Sequence, residues 1–338
     1  MSSPALSPVC PQPGVLFVVP GDGQGSSMIF VRRQAHSLAT EGIPTNLFYL
    51  ASRTSPGHLL ADFLRFRSEI KQLCPAVIHA HFGTVTALFS ALACGALPLV
   101  ITYRGGDLNP APQSYSRLSK ARAACGYVFS QLAALRAQKI ICVSHPLRNR
   151  LWWRRAAVTI LPTGVDPAVF HPEPRALVRR RLGWTDTERV VLFNAGHDAK
   201  GKRVDLAKAA VERARGEIAA VRLEILDGSV GPALVPDLMN ASDCLLLTSV
   251  SEGSPTVVQE ALACDLPVVS VEVGDVMERF EGVSNAVVSA PDPAALGRAL
   301  ATMLEPPRRS NGSLKVAEFS SQRIAAQLTE IYRKLAAA

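Results

Sequence analysis

Apolar residues recur along the chain as short unbroken runs, separated by longer stretches of helical period. Val15-Leu16-Phe17-Val18-Val19 lies between Pro13-Gly14 and Pro20-Gly21. Such a bounded run predicts a strand buried on both faces. A Gly/Ser loop follows at 21–27, then a predicted helix over 28–40 that ends near Gly42. Further strands are predicted at 46–50, 76–79, 99–103 and 140–143, with a helix reaching Cys94 and another after Ser144. Pro162-Thr163-Gly164-Val165-Asp166-Pro167 reads as a connection, and beyond it the alternation restarts. Strands are predicted at 190–194, 222–226, 244–247 and 267–271. Helices are predicted at 205–215, 235–240, 254–264, 293–304 and 317–336. Strands alternating with helices imply parallel α/β units. Two doubly wound units facing a cleft are the simplest arrangement, with ligands at the carboxyl ends of their strands.

The run 83–103 has no charged side chain and is long enough to cross a bilayer. Gly95 and Pro98 interrupt it, so a buried helix followed by a buried strand is the better reading. The 338 residues suffice for two modest cores. With 48% hydrophobic and 19% charged residues, the chain is not disordered. Seven scattered cysteines without a CxxC pair argue against a disulfide scaffold or a structural zinc site. The polar, Pro-rich start does not read as a signal peptide, and a reducing, cytoplasmic setting is expected.

Charge separates the halves. Residues 1–170 hold 16 Lys/Arg and 6 Asp/Glu, whereas residues 171–338 hold 20 and 22, within a formal net charge of +8. Basic residues cluster at Arg117, Lys120 and Arg122, and at Arg148, Arg150, Arg154 and Arg155 around Trp152-Trp153. Such clusters attract phosphorylated substrates or anionic lipid, although a solvated face is the commoner explanation for any one of them. No zinc-finger spacing or RNP-like aromatic motif points to nucleic acid.

The densest chemistry lies in Ser251-Glu252-Gly253-Ser254-Pro255-Thr256, continuing through Glu260 to Cys264. Ser254 is a good N-cap and Pro255 suits the first helical position. Amides near 254–256 would then form an anion site. Glu260, four residues after Thr256 and on the same helix face, sits among apolar neighbours and needs a hydrogen-bonding partner. A capped core helix with two structural carboxylates would explain composition alone equally well.

Two glutamates separated by seven residues, in EGSPTVVQEALACDLPVVSVEVGD, resemble the retaining glycosyltransferases of family 4. MNASDCLLLTS, ICVSHPLRNRL and ILPTGVDPAVFHP are similar to neighbouring segments of that family, and the likeness runs from about residue 14 to 330. The closest flavour is that of cell-envelope polysaccharide enzymes of the teichuronic-acid or exopolysaccharide type. The resemblance implies an α/β GT-B fold of two doubly wound Rossmann-like domains. These would be an acceptor-binding domain over 1–168 and a nucleotide-sugar-binding domain over 169–338, with the last helix packing back on the first. It implies that Glu260 binds the donor ribose and Glu252 the sugar hydroxyls. Amides along the Gly253 to Thr256 stretch, in which Ser254 and Thr256 flank Pro255 and Pro255 itself has no N–H, would mark the sugar and pyrophosphate subsite. Lys202 would neutralise the pyrophosphate, and Gly25-Ser26 would match the family's glycine loop. Where the family carries an Arg a few residues before that lysine, this chain has His197, so either His197 or Arg203 compensates. Arg104 replaces a common His; it bridges donor phosphate and sugar, steadies an acidic acceptor, or pairs with Asp107. His79 and His81 either line the acceptor side or are structural. The strand–helix–strand unit usual between Leu226 and Ser242 is missing, which removes part of the base pocket.

No Asp-x-Asp motif offers a metal site. The implied activity is therefore metal-independent, retaining transfer from a nucleotide-sugar, UDP ahead of GDP, to a lipid-linked or saccharide acceptor. The basic half implies a peripheral position on the inner face of the cell membrane. A hydrolysing sugar-nucleotide epimerase of the same architecture and a non-catalytic binding subunit are the alternatives.

Overall fold

The computed structural model describes residues 14–24, 28–113, 115–196 and 198–338. One sheet contains β1 (Val15–Pro20), β2 (Thr45–Leu50), β3 (Val77–His81), β4 (Leu99–Tyr103), β5 (Lys139–Cys142) and β6 (Val158–Ile160). Its order is β2-β1-β3-β4-β5-β6, and all its pairings are parallel. The other contains β7 (Arg189–Asn194), β8 (Val221–Leu226), β9 (Cys244–Leu247), β10 (Val268–Ser270) and β11 (Ala286–Val288). It runs β11-β10-β9-β7-β8, again parallel throughout. Central strands of parallel sheets are covered on both faces. This explains why β1 and β3 are buried along their whole length, β1 as an unbroken apolar run and β3 even at His79 and His81.

In each sheet the strand order reverses beside its first strand, and the crevice outside the carboxyl ends at that point is where such sheets hold ligands. In the second sheet these are the ends of β7 and β9. The segments that leave them carry Lys202 and the Ser251–Thr256 stretch.

The chain crosses between the sheets twice. At the crossings Val165 N donates to the Phe319 carbonyl at 3.0 Å, and Ser321 N to the Val165 carbonyl at 2.7 Å. Helix Ser321–Ala336 then packs on the first sheet, where Ile324, Leu328 and Tyr332 join Phe17, Val100 and Ile141 in one apolar cluster.

Some elements differ from expectation. The tail helix begins at Ser321 because Gly312–Glu318 forms a 3-10 helix. The helix after Ser144 is only five residues, His145–Asn149. β6 and β11, three residues each, are too short to give a period. Helices Pro56–Leu73 and Arg117–Arg136 escape the pattern because leucines also face outward on both. The uncharged run 83–103 becomes helix Thr84–Ala93 followed by β4. No helix among the described residues is long and apolar enough to cross a membrane.

Candidate active site

The motif helix is Thr256–Ala263, and Pro255, not Ser254, occupies its cap position. This corrects the expected Ser254 cap. The Ser254 hydroxyl donates instead to Asp275 Oδ2 at 2.8 Å and accepts from Gln259 Nε2 at 2.9 Å. A buried carboxylate is the stronger acceptor partner. No side chain caps the helix start, so its first amides remain available to an anion. Gly253 lies directly against the loop after β4: a Cβ there would drive into the Arg104 carbonyl oxygen. Gly105 has a φ of +148°, and a Cβ on it would lie 3.0 Å from Gly253 N. Two facing glycines therefore let the two halves meet backbone to backbone.

Lys202 Nζ donates to Glu252 Oε1, joining the loop after β7 to the loop after β9. Asp198 shapes the first of these loops: its Oδ1 accepts from Gly201 N at 2.8 Å and its carbonyl from Lys202 N at 2.9 Å. From the other half, Asn109 Nδ2 donates to the Glu252 carbonyl at 3.0 Å, and the Tyr115 hydroxyl to Asp198 Oδ2 at 3.2 Å. Lys202 and Glu252 line a cavity of about 700 Å³ with Phe82, Thr84, Asn109 and Tyr115. Arg203 turns elsewhere. It pairs with Asp205 at 3.4 Å and lines a separate cavity of about 460 Å³ beside Ser249.

Glu260 lies in a third cavity, of about 280 Å³, with Ile29, Arg33, Phe170, Asn194 and Pro232. Arg33 Nη1 donates to Glu260 Oε1 at 3.3 Å across the cleft. Burial pushes the Glu260 carboxyl up to about 7, and Arg33 offsets only part of that rise. The short connection from β8 to helix Val235–Ala241, where the sequence lacks the family's usual strand–helix–strand unit, leaves Gly228, Val230 and Pro232 on the rim.

Arg104 is placed otherwise than a pairing with Asp107 would require. The Asp107 carboxylate accepts backbone amides of Gly83 at 2.9 Å, Arg104 at 3.0 Å and Gly105 at 2.8 Å. The Arg104 guanidinium turns into the interior, donating to Thr163 Oγ1 and to His81 Nδ1, both at 3.0 Å, and stacking over Phe30 at 4.3 Å. Burial lowers its pKa to about 10. It is the Arg104 backbone that meets the motif. His79 bridges Thr102 Oγ1 at 2.7 Å and the Tyr332 hydroxyl at 2.6 Å. Both histidines are fully buried, and burial together with Arg104 holds them well below the usual imidazole range. Neither lines the cavities above. Gly25, Ser26 and His197 lie outside the described residues.

The family description Glycosyltransferase Family 4 matches residues 26–169, and Glycosyl transferases group 1 matches 186–306. The chain is a family 4-like glycosyltransferase of GT-B fold. It is 29% identical over 289 residues to a Bacillus subtilis protein named as the teichuronic acid biosynthesis glycosyltransferase TuaC, covering 77% of this chain and 71% of that one. Sucrose-phosphate synthase from Thermosynechococcus elongatus superposes with a TM-score of 0.75 at 18% identity, over 96% of this chain and 100% of that one. Anabaena HepE in complex with UDP and glucose superposes with a TM-score of 0.71 at 18% identity, over 95% and 99%. At such identity these two likenesses establish the fold.

In this glycosyltransferase the structure brings Lys202, Glu252 and Gly253 together, and holds Glu260 in an adjoining cavity. Sequence reasoning missed Arg33, Asn109 and Phe170. Asn109 follows Asp107 by two residues in a stretch already singled out, so proximity to that segment was the one available signal. Phe170 lies within ILPTGVDPAVFHP, a segment singled out without a site role, while nothing local marks Arg33, whose partner lies far off in the chain.

Proposed function

We propose that this glycosyltransferase moves a sugar from a UDP-sugar to a lipid-linked or saccharide acceptor of cell-surface polysaccharide, with retention and without metal. The observation that carries this reading is the Lys202–Glu252 pair at the rim of the large cleft, beside an uncapped helix start. Lys202 and the amides of Gly253, Ser254 and Thr256 would hold the diphosphate, while Glu252 would accept from sugar hydroxyls. Glu260 would accept from the ribose hydroxyls. The chain has no Asp-x-Asp segment, so the negative charge of the leaving group would be met by these protein groups. As the acceptor oxygen attacks C1, the bond from C1 to the diphosphate breaks on the same face. The departing phosphate oxygen takes the acceptor proton, so no separate base is required. The surplus of positive charge in the first half supports work at the inner face of an anionic membrane.

Thermal unfolding with UDP, GDP, ADP and dTDP, each in EDTA, tests the donor site. UDP at 100 times its dissociation constant adds about 2.7 kcal/mol. We expect that gain for UDP alone, in the absence of metal, and its loss in Glu260→Ala. Stabilisation that needs a divalent ion, or that survives in Glu260→Ala, would contradict the assignment.

The raised Glu260 carboxyl predicts a pH dependence. Because its folded pKa lies above the unfolded value, the stability it contributes is full below the ordinary carboxylate range and is lost as pH rises through about 7. UDP binding runs the other way, since ribose hydroxyls need the charged form as acceptor. UDP affinity is expected to rise about tenfold from pH 6 to pH 8 and to level off above. Calorimetric titration of Glu260→Gln should lack this component; an equal rise in that variant would assign it to the nucleotide.

A further inference from the structure

The outward face of helix Arg117–Arg136 carries Leu118, Ala121, Cys125, Val128, Leu132 and Leu135, spaced alternately by three and four residues. That spacing places all six on one stripe of a helix about 30 Å long. Every one of them is exposed, with Leu118 at 62%, Leu132 at 45% and Leu135 at 56%. The opposite face is already used: Gly126, Ser130, Ala133 and Ala134 are buried, with Gly126 and Ser130 against Thr84 at the start of helix Thr84–Ala93. Trp152, 51% exposed, stands edge-on to Tyr127 of the same helix at 5.4 Å. A soluble surface rarely leaves so continuous an apolar stripe uncovered.

Along its own stretch of chain the charges are nearly all of one sign. Between residues 70 and 165 the chain has eleven Lys/Arg and a single carboxylate, Asp107. Asp107 is buried and occupied by backbone amides, so it offers nothing at the surface. Arg117, Lys120 and Arg122 surround the start of the stripe and Arg136 closes its end. This pattern decides between two occupants. A second copy seated face to face would set these cations against themselves with no carboxylate opposite. An anionic lipid surface supplies both a hydrocarbon boundary for the leucines and Trp152 and negative charge for the rim.

We propose that this glycosyltransferase lies on an anionic bilayer through the exposed face of helix Arg117–Arg136 together with Trp152. The inference rests on the membrane reading above and deepens it by naming the surface. It also fixes an orientation. Ala123 of this helix and Thr84, which begins the neighbouring helix, both line the large cavity of Lys202 and Glu252. Ala123 lies on the helix face opposite the stripe, so the cleft opens one helix diameter, ~10 Å, from the docking face.

Flotation of the full chain with vesicles tests this. The vesicles are phosphatidylcholine alone or phosphatidylcholine with 30% phosphatidylglycerol, in 0.1 M and 0.5 M NaCl. Each basic residue held near an anionic leaflet adds about fivefold to partition, and the Debye length of about 10 Å at 0.1 M shortens with salt. Wild type is expected to float only with the anionic vesicles, at least tenfold less in high salt. Leu132→Glu with Leu135→Glu should lower binding at least tenfold at both salts, whereas Leu314→Glu in the other half should not change it. All three are exposed positions, and unchanged circular dichroism and Tm would verify the folds. If wild type binds but the double variant binds equally, the surface is wrong while the membrane reading stands. If wild type binds neither vesicle, the membrane reading itself fails. A dimer in solution that Leu132→Glu with Leu135→Glu dissociates would give the face to a second copy and overturn the proposal.

Discussion

Replacing Lys202 with alanine is expected to lower turnover by about 10²- to 10³-fold while leaving the protein folded. Removing one preorganised group that meets developing charge typically costs that much. Here the loss is compounded, because Lys202 Nζ also donates to Glu252 and its removal leaves that carboxylate facing an incoming diphosphate uncompensated. The pair lies at the mouth of an open cavity, so the effect on Tm should stay within a few degrees. Lys202→Arg should recover only part of the rate, since a planar fork does not replace a compact ammonium at the end of a flexible stem. Single-turnover transfer or hydrolysis of UDP-sugar provides the measurement. A Lys202→Ala rate within threefold of wild type would remove Lys202 from the site.

Asp243→Leu is expected to destabilise the second half by about 3–5 kcal/mol, the usual result of stripping one partner from a buried ion pair. Arg179 and Asp243 are wholly buried and paired at 2.7 Å. Arg179 also donates to the carbonyls of Ala241 at 2.8 Å, Thr185 at 3.1 Å and Glu188 at 3.0 Å. Asp243 Oδ2 accepts Val190 N at 2.7 Å, at the start of the sheet's first strand. The substitution would leave a guanidinium in the interior and strand an amide of β7. Arg179→Met combined with Asp243→Leu should recover part of the loss, because the one remaining cation of the group, Arg175, is partly exposed and can turn to solvent. Urea unfolding of the three variants measures this; a single-variant loss below about 1 kcal/mol would show that the interior tolerates the free charge.

How much was legible in the chain varied with the range of the interaction. β1 and β4 were readable because a strand covered on both faces shows as a largely apolar run, whereas β3, which carries His79 and His81, was read only to residue 79. The motif from Glu252 to Glu260 was readable because its chemistry lies within one loop and one helix. Helix Arg117–Arg136 was not readable, since its outer stripe is as apolar as its inner one, and period analysis sees only differences between faces. The Ser254 cap was a sound local expectation that a distant residue, Asp275, displaced by offering a charged acceptor. Arg104 followed the same course. A neighbour three residues away looked like its partner, but backbone amides took that carboxylate and the guanidinium went to Thr163 and His81.

The chain alone determined the alternation of strands and helices, the uneven charge and the residues able to meet a diphosphate, because each depends on residues close together in sequence. Only the tertiary structure decided that Lys202 meets Glu252, that Arg33 reaches Glu260, and that Gly105 and Gly253 touch. Those contacts join segments 50 to more than 200 residues apart, and they follow from where strand order reverses in two sheets and where the chain crosses between them. No local propensity encodes such a meeting; it is set by which packing of the two sheets and the returning helix buries the most apolar surface.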